Sequence, residues 1–161
     1  MTTFKKVNYL QILFILSVTV LISAFIIEYG FGFQPCNLCL IERIPYGLAI
    51  IILIINYFFK SNQIFHSVLL ILVFSFSIII SIYHLGIEEG IIEESAVCAT
   101  NNLDLLTKED ILKSLEVMRV SCKDVAFKIF GLSLTTYNIL ISILMFLLST
   151  KIYLLTNDIK K

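Results

Sequence analysis

Charge is what this sequence has least of. Asp, Glu, Lys and Arg make up 15% of its 161 residues while 58% are hydrophobic, too little polar material to cover a soluble domain. The formal net charge is zero and no basic tract or aromatic-basic pattern occurs, which excludes the electrostatic footprint of a nucleic-acid binder. Internal repeats and low-complexity linkers are absent. The long apolar stretches carry no charge that would mark an ion or substrate path, so a transporter has no support.

What remains is a membrane protein. A helix rises about 1.5 Å per residue and the hydrocarbon core is about 30 Å thick, so roughly 20 apolar residues are needed per crossing. Four segments qualify, at about 7–27, 40–59, 64–85 and 129–148; the second reaches spanning length only if it begins near Cys39 or Leu40. The first apolar run is too long for a signal peptide and lacks a small-x-small cleavage site, so it reads as a retained helix. The expected fold is an all-α bundle of four transmembrane helices, one integral membrane domain over 1–161, with outer loops at 28–39 and 86–128.

Lys5, Lys6, Lys60, Lys151, Lys160 and Lys161 fall on one side of the membrane. Arg43, Lys108, Lys113, Arg119, Lys123 and Lys128 fall on the other, mostly inside one long loop, where the positive-inside rule is weaker. Both termini are therefore expected in the cytoplasm. All four cysteines, Cys36, Cys39, Cys98 and Cys122, then lie on the outer, oxidising face. In the second outer loop, Thr107-Lys108-Glu109-Asp110 reads as a helix start, and Ile111, Leu112, Leu115 and Met118 recur at helical spacing. That pattern fits a short amphipathic helix on the membrane surface and equally a helix packed on its own loop.

Cys36-Asn37-Leu38-Cys39 at the mouth of the second span can be a redox couple, half of a zinc site or a structural bridge. Zinc would want a second close pair, whereas Cys98 and Cys122 are separated by a long segment, so no metal is expected. A structural bridge closing so short a loop removes little unfolded-state entropy, and tight geometry makes it reducible. Cys39, in the first turn of a helix with Arg43 one turn on, is placed to be held as a thiolate. Arg43 can also be read as a snorkelling arginine. Pro45 predicts a bend or a loose start to this helix.

Cys98 and Cys122 fit an exposed redox pair or a staple for a long loop. His84 and Glu88 are one helical turn apart at the outer end of the third span, where a histidine is more often an interfacial hydrogen-bonding residue than a catalyst.

These residues resemble the DsbB family of bacterial membrane disulfide oxidases. The resemblance rests on Pro35-Cys36-Asn37-Leu38-Cys39 running on to Glu42-Arg43, on Tyr83-His84-Leu85-Gly86-Ile87-Glu88, on the loop cysteine pair, on Gly131-Leu132-Ser133-Leu134, and on the four spans. The chain departs from the family pattern at Thr135 and Tyr137, where proline and tryptophan often stand.

The resemblance implies a protein-disulfide oxidase of the bacterial inner membrane. Cys98, with Cys122 as its partner, would take electrons from a periplasmic thioredoxin-like, DsbA-type thiol oxidase and pass them to Cys36 and Cys39. A quinone, ubiquinone or menaquinone, would then be met by Cys39, Arg43 and His84. An ordinary structural disulfide near −300 mV cannot oxidise a partner near −120 mV, since about 180 mV is roughly 8 kcal/mol for two electrons, so a downstream acceptor is required. The rival readings are a non-catalytic scaffold with stapled loops and a quinone reductase of the vitamin K epoxide kind. The latter usually carries its two cysteine pairs in the opposite order.

Overall fold

The computed structural model describes residues 2–59, 62–93, 98, 121–123, 128–129 and 131–160. The amphipathic segment expected at 107–118 lies outside the described residues. Four helical stretches are long and apolar enough to cross a membrane: Val7–Gly30, Asn37–Phe58, Gln63–Glu88 and Leu134–Asp158. They correspond to the four expected spans.

The first helix, α1 (Thr2–Phe25), does not stop where its apolar run ends. It continues as a π-helical turn, Ile26–Gly30, whose wider ring is closed by the Phe31 amide donating to the Ile26 carbonyl at 3.2 Å. The second span is broken. A five-residue helix, α2 (Asn37–Ile41), ends in a turn at Glu42 and Arg43, and α3 (Ile44–Phe58) restarts with Pro45 in its first turn. Proline has no amide hydrogen to give, so it is tolerated where first-turn donors have no partner anyway, and it forces the break that the sequence predicts.

The third span, α4 (Gln63–Glu88), ends in a Schellman motif. Gly90, at φ +72°, donates to the Ile87 carbonyl at 3.0 Å, and Ile91 donates to the Gly86 carbonyl at 2.9 Å. Ile92 folds back over Gly86, where a Cβ would stand 2.6 Å from its Cδ1. The end of α4, which carries His84 and Glu88, is thereby fixed.

The fourth span differs from expectation. It begins at Leu134 rather than 129 and runs to Lys160 as α5. The physical reason lies in Ser133, whose hydroxyl accepts the Thr136 amide at 3.3 Å and so caps the helix start. Lys128–Ile129 (β1) and Leu132–Ser133 (β2) pair antiparallel across Gly131, at φ +82°, and this small hairpin occupies the residues expected to be helical.

In the bundle α1 lies between α3 and α5, α3 also packs on α4, and α4 and α5 share the longest contact. Leu13, Tyr46, Ala49, Leu53, Leu70, Phe74, Met145 and Ile152 meet in the interior. Ile15, Ile22, Leu72, Ile79, Leu140 and Leu147 point outward, as lipid-facing positions must.

Five polar residues of the interior are tied to one another. Tyr46 donates its hydroxyl to Asn138 Oδ1 and lies 3.1 Å from the Ser142 hydroxyl, which is 2.9 Å from Ser77. Asn138 donates to Ser81 Oγ at 2.8 Å. With no water in the hydrocarbon, such groups must find partners in the protein.

Candidate active site

One end of the bundle gathers the C-terminal ends of α1 and α4 and the N-terminal ends of α2, α3 and α5. It also gathers the chemistry. Cys36 is the N-cap of α2, and its Sγ accepts the Cys39 amide at 3.1 Å. Cys39 is the thiol that the sequence leads one to expect as the anion; because α2 begins at Asn37, the capping position falls to Cys36. Hydrogen bonding from the Cys39 side chain, with contact from His84 adding to it, outweighs the opposing effect of burial and holds the Cys36 thiol down at about 5. Both cysteines are free thiols, Cys36 buried and Cys39 half-buried.

His84 links three helices. Its Nε2 lies 3.5 Å from Cys36 Sγ, and its Nδ1 lies 3.0 Å from Glu42 Oε1 and 3.3 Å from Thr135 Oγ1. Thr135 in turn donates to Glu88 Oε1 at 2.6 Å. The ring is 1% exposed, so these contacts stand in place of water. Of this group, Thr135 was read from sequence only as a departure from a family pattern. Glu42 is at the turn between α2 and α3, and its carboxylate is brought to His84 by the break at Pro45.

Arg43 does not face the thiols alone. Its guanidinium forms an ion pair with Glu28 on the π-helical turn and sits 5.3 Å from the centroid of the Phe25 ring. Glu28 was not singled out in the sequence, and no local spacing pairs residues 28 and 43.

Cys98 and Cys122 are joined in a disulfide. Both are buried, and they pack in one cluster with Cys36, Leu38 and Ile87, flanked by Cys39, Ile41 and Tyr83. The two cysteine pairs, far apart in sequence, are therefore neighbours. Cys36, Cys39 and His84 also offer three ligand atoms within 4.8 Å of one another. The fold thus supplies an imidazole beside the two thiols that cysteine spacing hid, which makes three ligands, one short of the four that a closed structural zinc site uses.

A cavity of about 350 Å³ opens beside these groups. Its walls include Val20, Ala24, Ile27, Phe33 and Ile141 on the apolar side. Cys36, Cys39, Arg43, His84, Glu88 and Cys122 form the reactive side. A mostly apolar cavity with a few convergent polar groups is the usual form of a small-molecule site.

Comparison with known proteins identifies the family. The family model for disulfide bond formation protein DsbB matches residues 6–152. An uncharacterized protein of Rickettsia prowazekii (strain Madrid E), RP370, is 32% identical over 137 residues, covering 82% of this chain and 78% of the relative. No solved structure matches. A multi-pass membrane protein with a buried Cys-x-x-Cys beside a loop disulfide, matched over most of its length by that model, this chain belongs to the DsbB family, whose members are thiol-disulfide oxidoreductases of disulfide bond formation.

Proposed function

We propose that the protein is a quinone-dependent protein-disulfide oxidase of the bacterial inner membrane. Its termini lie in the cytoplasm and its cysteines on the periplasmic face. It reoxidises a DsbA-type dithiol partner through Cys98 and Cys122, and passes the electrons to Cys36 and Cys39. The observation that supports this most is the single buried cluster holding Cys36, Cys98 and Cys122 against a cavity walled by Cys36, Cys39 and Cys122. Thiol-disulfide exchange needs sulfur to reach sulfur, and electron delivery needs the last pair to face its acceptor.

A quinone supplies an acceptor for two electrons and two protons. The chain's own residues would hold it: the apolar walls by Ile27 and Ile141, with Arg43 and His84 placed to meet its oxygens. Arg43 is kept in place by Glu28, and a guanidinium remains charged whatever the redox state beside it. Once the partner has reduced the Cys98–Cys122 disulfide, a loop thiolate attacks the oxidised Cys36–Cys39 bond to give a mixed disulfide, which its loop partner resolves by closing Cys98–Cys122 again; Cys36, whose thiolate is favoured at neutral pH, is a good leaving group in this exchange.

The test uses purified protein, a reduced thioredoxin-like partner and a soluble ubiquinone or menaquinone analogue. The wild type should oxidise the partner and reduce the quinone in equal amounts, and Cys36→Ser or Cys39→Ser should stop both. Turnover surviving both substitutions overturns the assignment.

A further inference from the structure

Glu88 is a buried carboxylate with half of its hydrogen bonding undone. Its side chain is 8% exposed, Oε1 is held by Thr135, and Oε2 is buried without a hydrogen-bond partner. Buried polar atoms are nearly always paired, so an unpaired carboxylate oxygen beside a ligand cavity asks for an explanation. His84 Nε2 supplies a direction. It stands between Cys36 Sγ at 3.5 Å and Glu88 Oε1 at 3.8 Å, so the face of the ring that meets the thiol also meets the carboxylate.

We infer that Glu88, oriented by Thr135, takes up from His84 the proton that Cys36 has given up to the ring, when the Cys36–Cys39 pair is oxidised. The inference rests on the proposed quinone-linked oxidation. Closing two thiols into one S–S bond releases two electrons and two protons, and a quinone takes up both electrons and both protons in becoming a quinol. Cys39 stands on the cavity wall and loses its proton there. Cys36 is buried, and its proton, held at His84 Nε2 beside the sulfur anion, passes to Glu88, which also lines the cavity, when oxidation removes that negative charge.

Among the described residues, the other ionisable groups beside this path are Glu42 against His84 Nδ1, the Glu28–Arg43 pair across the cavity, and Cys39. Glu42 faces the opposite edge of the ring from the thiol. It steadies the tautomer with Nδ1 engaged, leaving Nε2 to exchange the proton. Thr135 is a positioning residue: its hydroxyl is placed to accept from His84 Nδ1 while donating to Glu88 Oε1, so ring and carboxylate are aligned by one side chain.

The test is an oxidised-minus-reduced infrared difference spectrum of the full-length protein in detergent, poised with dithiothreitol and no added quinone. A protonated-carboxyl band should appear on oxidation, shift in D₂O, vanish in Glu88→Gln and persist in Glu42→Gln. Thr135→Val should move that band and Thr135→Ser should restore it, which covers the case of a Glu88 variant that does not fold. Quinone reduction by Glu88→Gln should fall about 10²-fold with the partner's KM unchanged, the lower range for loss of a positioned proton carrier. A band indifferent to both Glu88→Gln and Thr135→Val, in a wild type that still reduces quinone, overturns the inference and leaves the proposed function standing. A wild type unable to reduce quinone overturns the proposed function itself.

Discussion

The middle and one end of the α4–α5 contact use polar residues in opposite ways. Midway along the bundle, Tyr46, Ser77, Ser81, Asn138 and Ser142 bind one another and none of them carries a charge. At the end that carries the cysteines, Cys36, Glu42, His84 and Glu88 form an ionisable network with the Thr135 hydroxyl, and the Glu88 Oε2 atom is left unpaired. The first arrangement satisfies hydrogen bonds where lipid offers none and holds the helices in register. The second keeps several protonation states within reach of each other. The neutral network serves to pair the helices, and the ionisable one serves reactivity and cannot lose a partner cheaply.

Substitutions can break that contrast. The largest effect should come from Cys36→Ser, which removes both the capping sulfur and a redox partner; steady-state quinone reduction should drop to background. Next in size is the ionisation of Cys36. Its thiolate absorbance near 240 nm should be fully developed at neutral pH and disappear only as the pH falls through about 5, whereas an ordinary thiol would lose it near 9. The lowered value means that the thiolate form is favoured in the folded protein, so the stabilisation it brings is present above that range and lost on acidification. A midpoint near 9 would show that the Cys39 and His84 contacts do not hold the anion.

Smaller effects should separate the two networks by stability. Glu42→Ala leaves a buried histidine without its carboxylate and should destabilise by about 3–5 kcal/mol in a detergent unfolding assay, the range for breaking a buried pair from one side. Phe74→Ala in the interior should cost about 2 kcal/mol, below the usual soluble-core value, because lipid is as apolar as the core and mainly the cavity counts. Asn138→Leu should cost least, about 1.2 kcal/mol, since it removes two interhelical hydrogen bonds worth about 0.6 kcal/mol each in a membrane. Equal losses at Glu42 and Asn138 would erase the distinction between the networks.

Much of this was legible from residues alone, and the remainder was hidden for identifiable reasons. The four spans follow from apolar length, and the break at Pro45 from its missing amide hydrogen. The reactive pair Cys36 and Cys39 follows from spacing and position. Which of the two is the capping sulfur depends on whether α2 starts at 37 or 40, a boundary that apolar patterning does not define. The late start of α5 turned on Ser133 as a cap, a short-range signal masked by the hydrophobic residues around it. Pairings such as Glu28 with Arg43 and Thr135 with Glu88 join different helices, and nothing local to either partner announces the other.

The π-helical turn at Ile26–Gly30 carries a consequence for how this chain tolerates insertion and deletion. Successive residues of an ordinary helix are rotated by about 100°, so trimming a single residue from the turn would swing Glu28 away from the guanidinium while leaving the hydrophobic length of the span almost unchanged. Such a shortened chain should still insert into the bilayer, with Arg43 released from its tether.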